Sequence, residues 1–395
     1  MKLAEEIRAL SNSYFEEVRA IRRHIHMYPE LSFKEEKTAA YVSSTLDSYG
    51  IAYRDKIAGT GIVASIKGTQ SESDKVICLR ADLDALPIQE KTALEYASKN
   101  DGIMHACGHD VHTSSLLGAA KIINQYRSQF AGEIKLIFQP GEELLPGGAS
   151  LLIKEGVLQH PVPEAIIGQH VMPEMPVGKV GFRPGLYMAS TDELYITVKG
   201  KGGHGAMPHK LIDPVMMAAQ LLVALQQVVS RWASPSIPTV LSFGKFQADG
   251  ATNVIPDEVK IEGTFRTFDE AWRAKAHEKM RNFAKSFIEG MGGTIDFDIR
   301  NGYPFLKNDE VLTKFLTQEA VQYMGASNVE AMDLRTTGED FAFYTHHVPG
   351  CFYRIGTGNI EKGITASVHN PHFSIDEDAL KTGMGLMAYL AIKKI

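Results

Sequence analysis

The sequence predicts an α/β protein in two parts. One is a discontinuous main domain whose central mixed sheet is flanked by helices, and the other is an inserted ferredoxin-like α+β domain. Three observations predict this. At 395 residues the chain exceeds what one ordinary core accommodates. Up to Pro184, strand-like and helix-like segments alternate, which is the pattern of a sheet wrapped by helices. From Glu193 to Arg300 the order changes to β-α-β-β-α-β, one sheet with helices on one face.

The elements follow in order. Leu3 to Met27 carries apolar residues at helical spacing, Tyr28-Pro29 breaks it, and a second helix runs over 34–49 until Gly50. Strands are expected over 61–66 and 76–79, the second leading into Arg80-Ala81-Asp82-Leu83-Asp84-Ala85-Leu86-Pro87. A helix over 114–126, a strand over 133–138 and a helix over 148–155 come next. Apolar Ala165-Ile166-Ile167-Gly168 then leads to His170. After Arg183-Pro184-Gly185 the insert reads as strand 194–199, helix 214–232, strands 239–247 and 259–267, helix 270–288 and strand 294–300. Asn301-Gly302-Tyr303-Pro304 closes it. Helix 311–323, a short strand near 329–332, strand 351–355 and helix 378–393 complete the chain. Residues 1–185 and 301–395 are therefore expected to form the main domain and 186–300 the insert.

Bulk chemistry narrows the function. The net charge of −6 comes with no basic stripe, so nucleic acid is not an expected partner. No apolar run approaches the length needed to span a membrane, so no membrane role is expected either. The first residues, Met1 to Arg8, read as a charged amphipathic helix and not as a signal peptide. The three cysteines, Cys78, Cys107 and Cys351, are odd in number and widely spaced, which argues against a disulfide framework. A reducing, cytoplasmic compartment is the expectation.

Two clusters carry the chemistry. Glu142-Glu143 follows the strand-like run Glu133 to Gln139, just past Pro140-Gly141. Adjacent carboxylates repel unless a cation or a shared proton gives them different roles. The carboxyl end of a strand is also where α/β sheets bind ligands. Read alone, the pair is a solvated loop with two surface acids. The second cluster is His105-Ala106-Cys107-Gly108-His109-Asp110-Val111-His112. In an extended segment Cys107 and His109 would point the same way and could address one atom. Read alone, this is a buried thiol beside a helix-start histidine. His105 and His112 could join, and one site cannot use them all. His170 follows an apolar run, and His369 stands in His369-Asn370-Pro371-His372-Phe373. Together these form an N/O/S set large enough for two metals, which ~3.5–4 Å apart could hold a water for hydrolysis. One glutamate would then bind metal while its neighbour acts as general base.

With these motifs the sequence resembles the metal-dependent amidohydrolases of the aminoacylase, carboxypeptidase and auxin-conjugate hydrolase group. It is most similar to the branch of bacterial N-acyl-L-amino acid amidohydrolases, hippurate hydrolases and auxin-conjugate hydrolases. The likeness runs through Arg22 to Leu31, Arg80 to Pro87, His105 to His112 and Gln139 to Glu143. It continues in Gly202-Gly203-His204-Gly205-Ala206-Met207-Pro208-His209, Asn253-Val254-Ile255-Pro256, Gly338-Glu339-Asp340-Phe341 and His369 to Phe373.

The resemblance implies that Cys107, His109, Glu143, His170 and His369 hold two divalent metal ions per subunit. Zinc, manganese, cobalt and nickel all suit such ligands. It implies Glu142 as general base and Asp84 as the carboxylate that orients a metal histidine. Asp82 stands where other branches have a ligand histidine, and both a role at the metals and a structural capping role are open to it. The insert is implied to be a lid and dimerisation domain, giving a homodimer. Its His204 would polarise the scissile carbonyl, with Asn253 and Arg266 at the substrate's carboxylate end. The implied substrate is a small N-acyl amino acid. Rival readings are a metallo-dipeptidase or carboxypeptidase of the same family, a thiol hydrolase using Cys107 with His109 as base, and a non-catalytic metal-binding protein.

Overall fold

Four apolar runs set the centre of the main sheet. Val76–Asp82, Glu133–Gln139, Ala165–Pro176 and Gly350–Gly358 pair in parallel. They are buried along nearly all of their length, because parallel strands are covered on both faces and so read as continuous apolar segments. The structure, a computed structural model, describes residues 2–395. Across the eight-stranded sheet the order is Tyr53–Ile57, Gly61–Lys67, Glu133–Gln139, Val76–Asp82, Ala165–Pro176, Gly350–Gly358, Val180–Phe182, Val329–Ala331. The first three are joined antiparallel, and Val180–Phe182 runs antiparallel to Gly350–Gly358, so the sheet is mixed.

This topology creates a site. From Val76–Asp82 the chain passes through helix His109–Gln125 to the neighbour Glu133–Gln139. It then places Ala165–Pro176 on the opposite side. The connections part at the carboxyl ends of these strands, a switch point where α/β sheets leave a crevice. Helix His109–Gln125 is buried almost throughout and packs against Lys2–Met27 and Ala379–Lys394. It begins five residues before the expected 114, because His109, Asp110 and His112 lack apolar periodicity yet find buried partners. His170 lies within a strand that continues to Pro176, rather than after one that ends at Gly168. Among the described residues no helix is long and apolar enough to cross a membrane. Cys78, Cys107 and Cys351 are all buried and unpaired.

The insert forms its own core. Thr239–Gln247, Glu258–Thr267, Asp192–Lys199 and Thr294–Asn301 lie in that order in an antiparallel sheet. Helices Pro214–Leu225 and Glu270–Gly290 pack on it over Leu194, Ile196, Leu221, Phe265 and Met280, which is the ferredoxin-like arrangement. The helix expected over 214–232 ends at Leu225, and the wider turn Val228–Trp232 follows it. This compact unit comprises Met188–Leu306 and also Leu334–Glu339. The latter joins through a bridge between Met188 and Arg335 and through the Ala189 N–H, which donates to the Arg335 and Thr337 carbonyls.

One buried cluster ties the two ends of the insert together. Asp192 accepts from Arg273 at 2.6 Å and from His277 at 2.8 Å. Arg273 also donates to the carbonyls of Thr191 and Gly302. Burial pushes the Asp192 carboxyl up, but His277 and Arg273 outweigh it and hold it below the usual range. A depressed carboxyl contributes stability above its unfolded pKa of about 3.9 and loses it as pH falls through the folded value. Asp192→Asn is therefore expected to cost about 3 kcal/mol at pH 7, since the largely buried Arg273 loses its buried carboxylate and keeps only the partly exposed Glu270. In urea melts the gap from wild type should begin to shrink below about pH 4, where the unfolded chain takes up the proton, and close as pH falls through the depressed folded value.

Candidate metal centre

The glutamate loop is held by its backbone. Strand Glu133–Gln139 ends at Pro140, and Gly141 follows in the left-handed region at φ +58°, with the Phe33 ring where a Cβ would stand. Asp84, just past Val76–Asp82, accepts from the Glu142 and Glu143 amides at 3.0 and 2.9 Å. The Ser32 hydroxyl donates to the same carboxylate at 2.6 Å. The Asp84 carbonyl lies 2.8 Å from His109 Nδ1. That contact makes Nδ1 the protonated nitrogen and leaves the Nε2 lone pair for a ligand.

Cys107 and His109 do meet, but not by strand alternation. Gly108 adopts φ +85° at the start of the helix, packed so closely on Val171 that a Cβ would lie 2.6 Å from its Cγ2. The turn places Cys107 Sγ 3.4 Å from His170 Nε2, and His170 Nδ1 donates to the Val171 carbonyl at 2.8 Å. His369 takes a left-handed backbone, φ 61°, strain that tends to gather at functional positions. Its N–H donates to the Ala106 carbonyl at 2.7 Å, and its Nε2 lies 3.3 Å from Glu143 Oε1.

Three overlapping sets bring the expected residues together: Cys107, His109 and His170; Cys107, Glu143 and His369; His109, Glu142 and Glu143. Within each set the ligand atoms lie within 4.8 Å of one another. Cys107 belongs to the first two. His109 Nε2 is buried with no hydrogen-bond partner, a costly arrangement unless a ligand completes it.

The electrostatics agree. Burial lowers His109, yet Asp82, Cys107 and Asp84 outweigh it and raise its pKa well above the ordinary value. Hydrogen bonds to Cys107 and Glu143 raise His369 to about 10. The pocket thus holds positive charge strongly, and a divalent cation would displace the protons that otherwise supply it. Thiolate, imidazole and carboxylate together fit a borderline-soft ion.

His109 also groups with Asp82 and His112, and Glu142 with Glu339 and Asp340, at the same spacing. Asp82 is buried against Arg80 at 2.6 Å and His112 Nδ1 at 2.6 Å, and its backbone carbonyl accepts from Thr113. Burial raises this carboxyl, but His109, His112 and Arg80 hold it well below the usual range. His112 Nε2 accepts from the Val171 N–H at 2.9 Å, so both of its nitrogens are engaged. His105, with neither nitrogen hydrogen-bonded, is driven by burial to about 3. Neither adds a ligand beside Cys107.

In the insert, His204 is exposed on the short strand Gly203–His204. Its Nδ1 accepts from the Ala206 N–H at 3.1 Å, leaving Nε2–H as an outward donor. Asn253 is exposed, and its carbonyl accepts from the Gly205 N–H. Arg266 is half-buried. Its Nε donates to Thr264 Oγ1 at 2.9 Å, and burial lowers its pKa. The roles of Ser32 and Glu35 against the glutamate loop escaped the sequence reading; Ser32-Phe33-Lys34-Glu35, beside Pro29, was the only signal.

Comparison with known proteins places this geometry. Residues 78–393 match peptidase family M20/M25/M40. An N-acyl-L-amino acid amidohydrolase from Geobacillus stearothermophilus is 45% identical over 307 residues, 78% of this chain and 82% of that protein. An N-acetyl-L-cysteine deacetylase from Bacillus subtilis (strain 168) is 41% identical over 383 residues, 96% of this chain and 89% of that protein. A crystal structure from Bacillus subtilis, described as a dinuclear metal-binding peptidase of the M20 family, has a TM-score of 0.81 at 36% identity. The match covers 97% of this chain and 99% of that one. The chain belongs to peptidase family M20/M25/M40, in its amidohydrolase branch.

Proposed function

We propose that the protein hydrolyses the amide bond of N-acyl amino acids, such as acetyl or benzoyl derivatives, releasing a carboxylic acid and a free amino acid. One observation carries the reading: a single carboxylate, Asp84, fixes both amides of an adjacent glutamate pair whose side chains share one ligand set with His109, while Glu143 alone of the two also joins a set that contains Cys107. Glu143 groups with Cys107 and His369, and Glu142 groups with His109 and Glu143. Two divalent ions held by Cys107, His109, Glu143, His170 and His369 would supply Lewis acidity and make water at the site more acidic.

Glu142 takes the proton of the attacking water and returns it to the leaving nitrogen. The outward Nε2–H of His204 suits donation to the carbonyl oxygen as negative charge develops there. Arg266, with no carboxylate within ion-pair distance among the described residues, suits the amino acid's carboxylate, and Asn253 would assist. The relatives' names, an N-acyl-L-amino acid amidohydrolase and an N-acetyl-L-cysteine deacetylase, support this substrate class. Against a thiol nucleophile, burial and then Glu143 push the Cys107 thiol up rather than down.

Glu142→Gln is expected to lower turnover by roughly 10²–10⁴-fold while metal content by mass spectrometry stays at the wild-type level; full activity would refute the base assignment. Stripping metal with a chelator should abolish hydrolysis of acetyl- and benzoyl-amino acids, and added zinc, manganese, cobalt or nickel should restore it. Indifference to chelator would favour the thiol hydrolase, and preference for free dipeptides a dipeptidase. Asp84→Ala should weaken metal binding about 10–100-fold in calorimetric titration, as loss of an orienting partner does.

A further inference from the structure

Two buried carboxylates, not one, grip the catalytic loop. Glu35 is fully buried, and its Oε1 accepts from the Gly141 amide at 2.8 Å and from the Phe33 amide at 2.9 Å. Its Oε2 accepts from the Thr60 hydroxyl at 2.6 Å. With Asp84 on the next two amides, three successive N–H groups, Gly141 to Glu143, all end on buried acids.

The position of Glu35 invites a simpler explanation that the structure does not bear out. It directly precedes helix Glu36–Ser48, where an acidic side chain would ordinarily cap free amides, yet it makes no capping bond. Glu30 does that work, accepting from the amides of Lys37 and Thr38 at 3.2 and 2.8 Å. Nor does a cation lie within ion-pair distance of Glu35 among the described residues. A buried acid without a cation is expensive, and neither capping nor ion pairing accounts for it. The backbone around it is also committed. Phe33 holds φ 62° and lays its ring where a Gly141 side chain would be.

We infer that Glu35 is a positioning residue for Glu142: by holding the Gly141 amide it sets the direction in which the base enters the site. This rests on the reading of Glu142 as general base. Gln at this position keeps the length and an acceptor for Gly141, with Thr60 free to rotate. Asp keeps the charge but is one methylene short.

The test compares both variants in metal-loaded protein, with Glu30→Ala as a control that removes only the cap. Glu35→Asp should lower kcat at least tenfold with KM and metal content within twofold of wild type, while Glu35→Gln stays within threefold in kcat. Glu30→Ala should lower the melting temperature and leave kcat per folded molecule unchanged. Amide exchange of peptides covering 140–147, which needs no turnover, should quicken at least tenfold in Glu35→Asp and not in Glu35→Gln. The inference is overturned if folded Glu35→Asp keeps kcat within twofold, if Glu35→Gln falls as far as Glu35→Asp, or if metal content falls together with kcat. Failure of the wild type to cleave any acyl-amino acid would refute the proposed activity and leave the exchange result to judge the clamp.

Discussion

The centre depends on one buried carboxylate and its own carbonyl. Asp84 takes the amides of Glu142 and Glu143 on its two oxygens, while its backbone oxygen takes the Nδ1 proton of His109. Two acids and a histidine are thereby placed by backbone geometry, which varies far less than the rotamers of long side chains. Burial works against the Asp84 charge, but bonds and charge from His109, with Ser32 and the Glu143 amide, keep the carboxyl below its ordinary range. The anion is held by the same groups that it positions, so loss of any one loosens the others.

Beneath this layer lies a second, built from the strand ends. Arg80 donates to Gln139 at 2.9 Å, to Asp82 at 2.6 Å and to Asp340 at 2.7 Å. Asp340 in turn accepts from Gln139 and from the amide of Ala149. The glutamates lie between Gln139 and helix Gly148–Lys154, so the loop that carries them is anchored at both ends on one acid. Buried ion pairs of this kind contribute little net stability, because desolvation cancels most of the attraction. Their use is registry. They hold Val76–Asp82 and Glu133–Gln139 in the alignment that puts Asp82 opposite Gln139 and the glutamates beside Asp84.

How much of this was legible depended on whether the signal was local. The parallel strands announced themselves as continuous apolar runs and the insert as a change of element order. The residue types of a soft-metal site stood out because Cys107, His109 and Glu142-Glu143 are rare neighbours, and the structure brings them together with His170 and His369. What escaped was tertiary. Nothing near Gly108 in the sequence says that it will turn left-handed against Val171, 63 residues on, so strand alternation was the wrong route to the right pairing. The start of helix His109–Gln125 was placed late because its first turn is polar, and only buried partners such as Arg22 and Asp82 make that turn affordable.

The histidines show why motif and role part company. Composition offers His105, His109, His112 and His170 on nearly equal terms. Hydrogen bonds rank them: a histidine can serve a metal when one nitrogen is fixed by a carbonyl or carboxylate and the other keeps its lone pair. His109 and His170 meet that condition through the Asp84 and Val171 carbonyls. His112 fails it because its second nitrogen already accepts from Val171, and His105 because nothing fixes either nitrogen. Asp82 then has a physical account. With its carboxylate on Arg80 and His112, it keeps His112 bonded to the amide of Val171, whose carbonyl orients His170. Asp82 therefore connects, through His112, to the strand that bears His170.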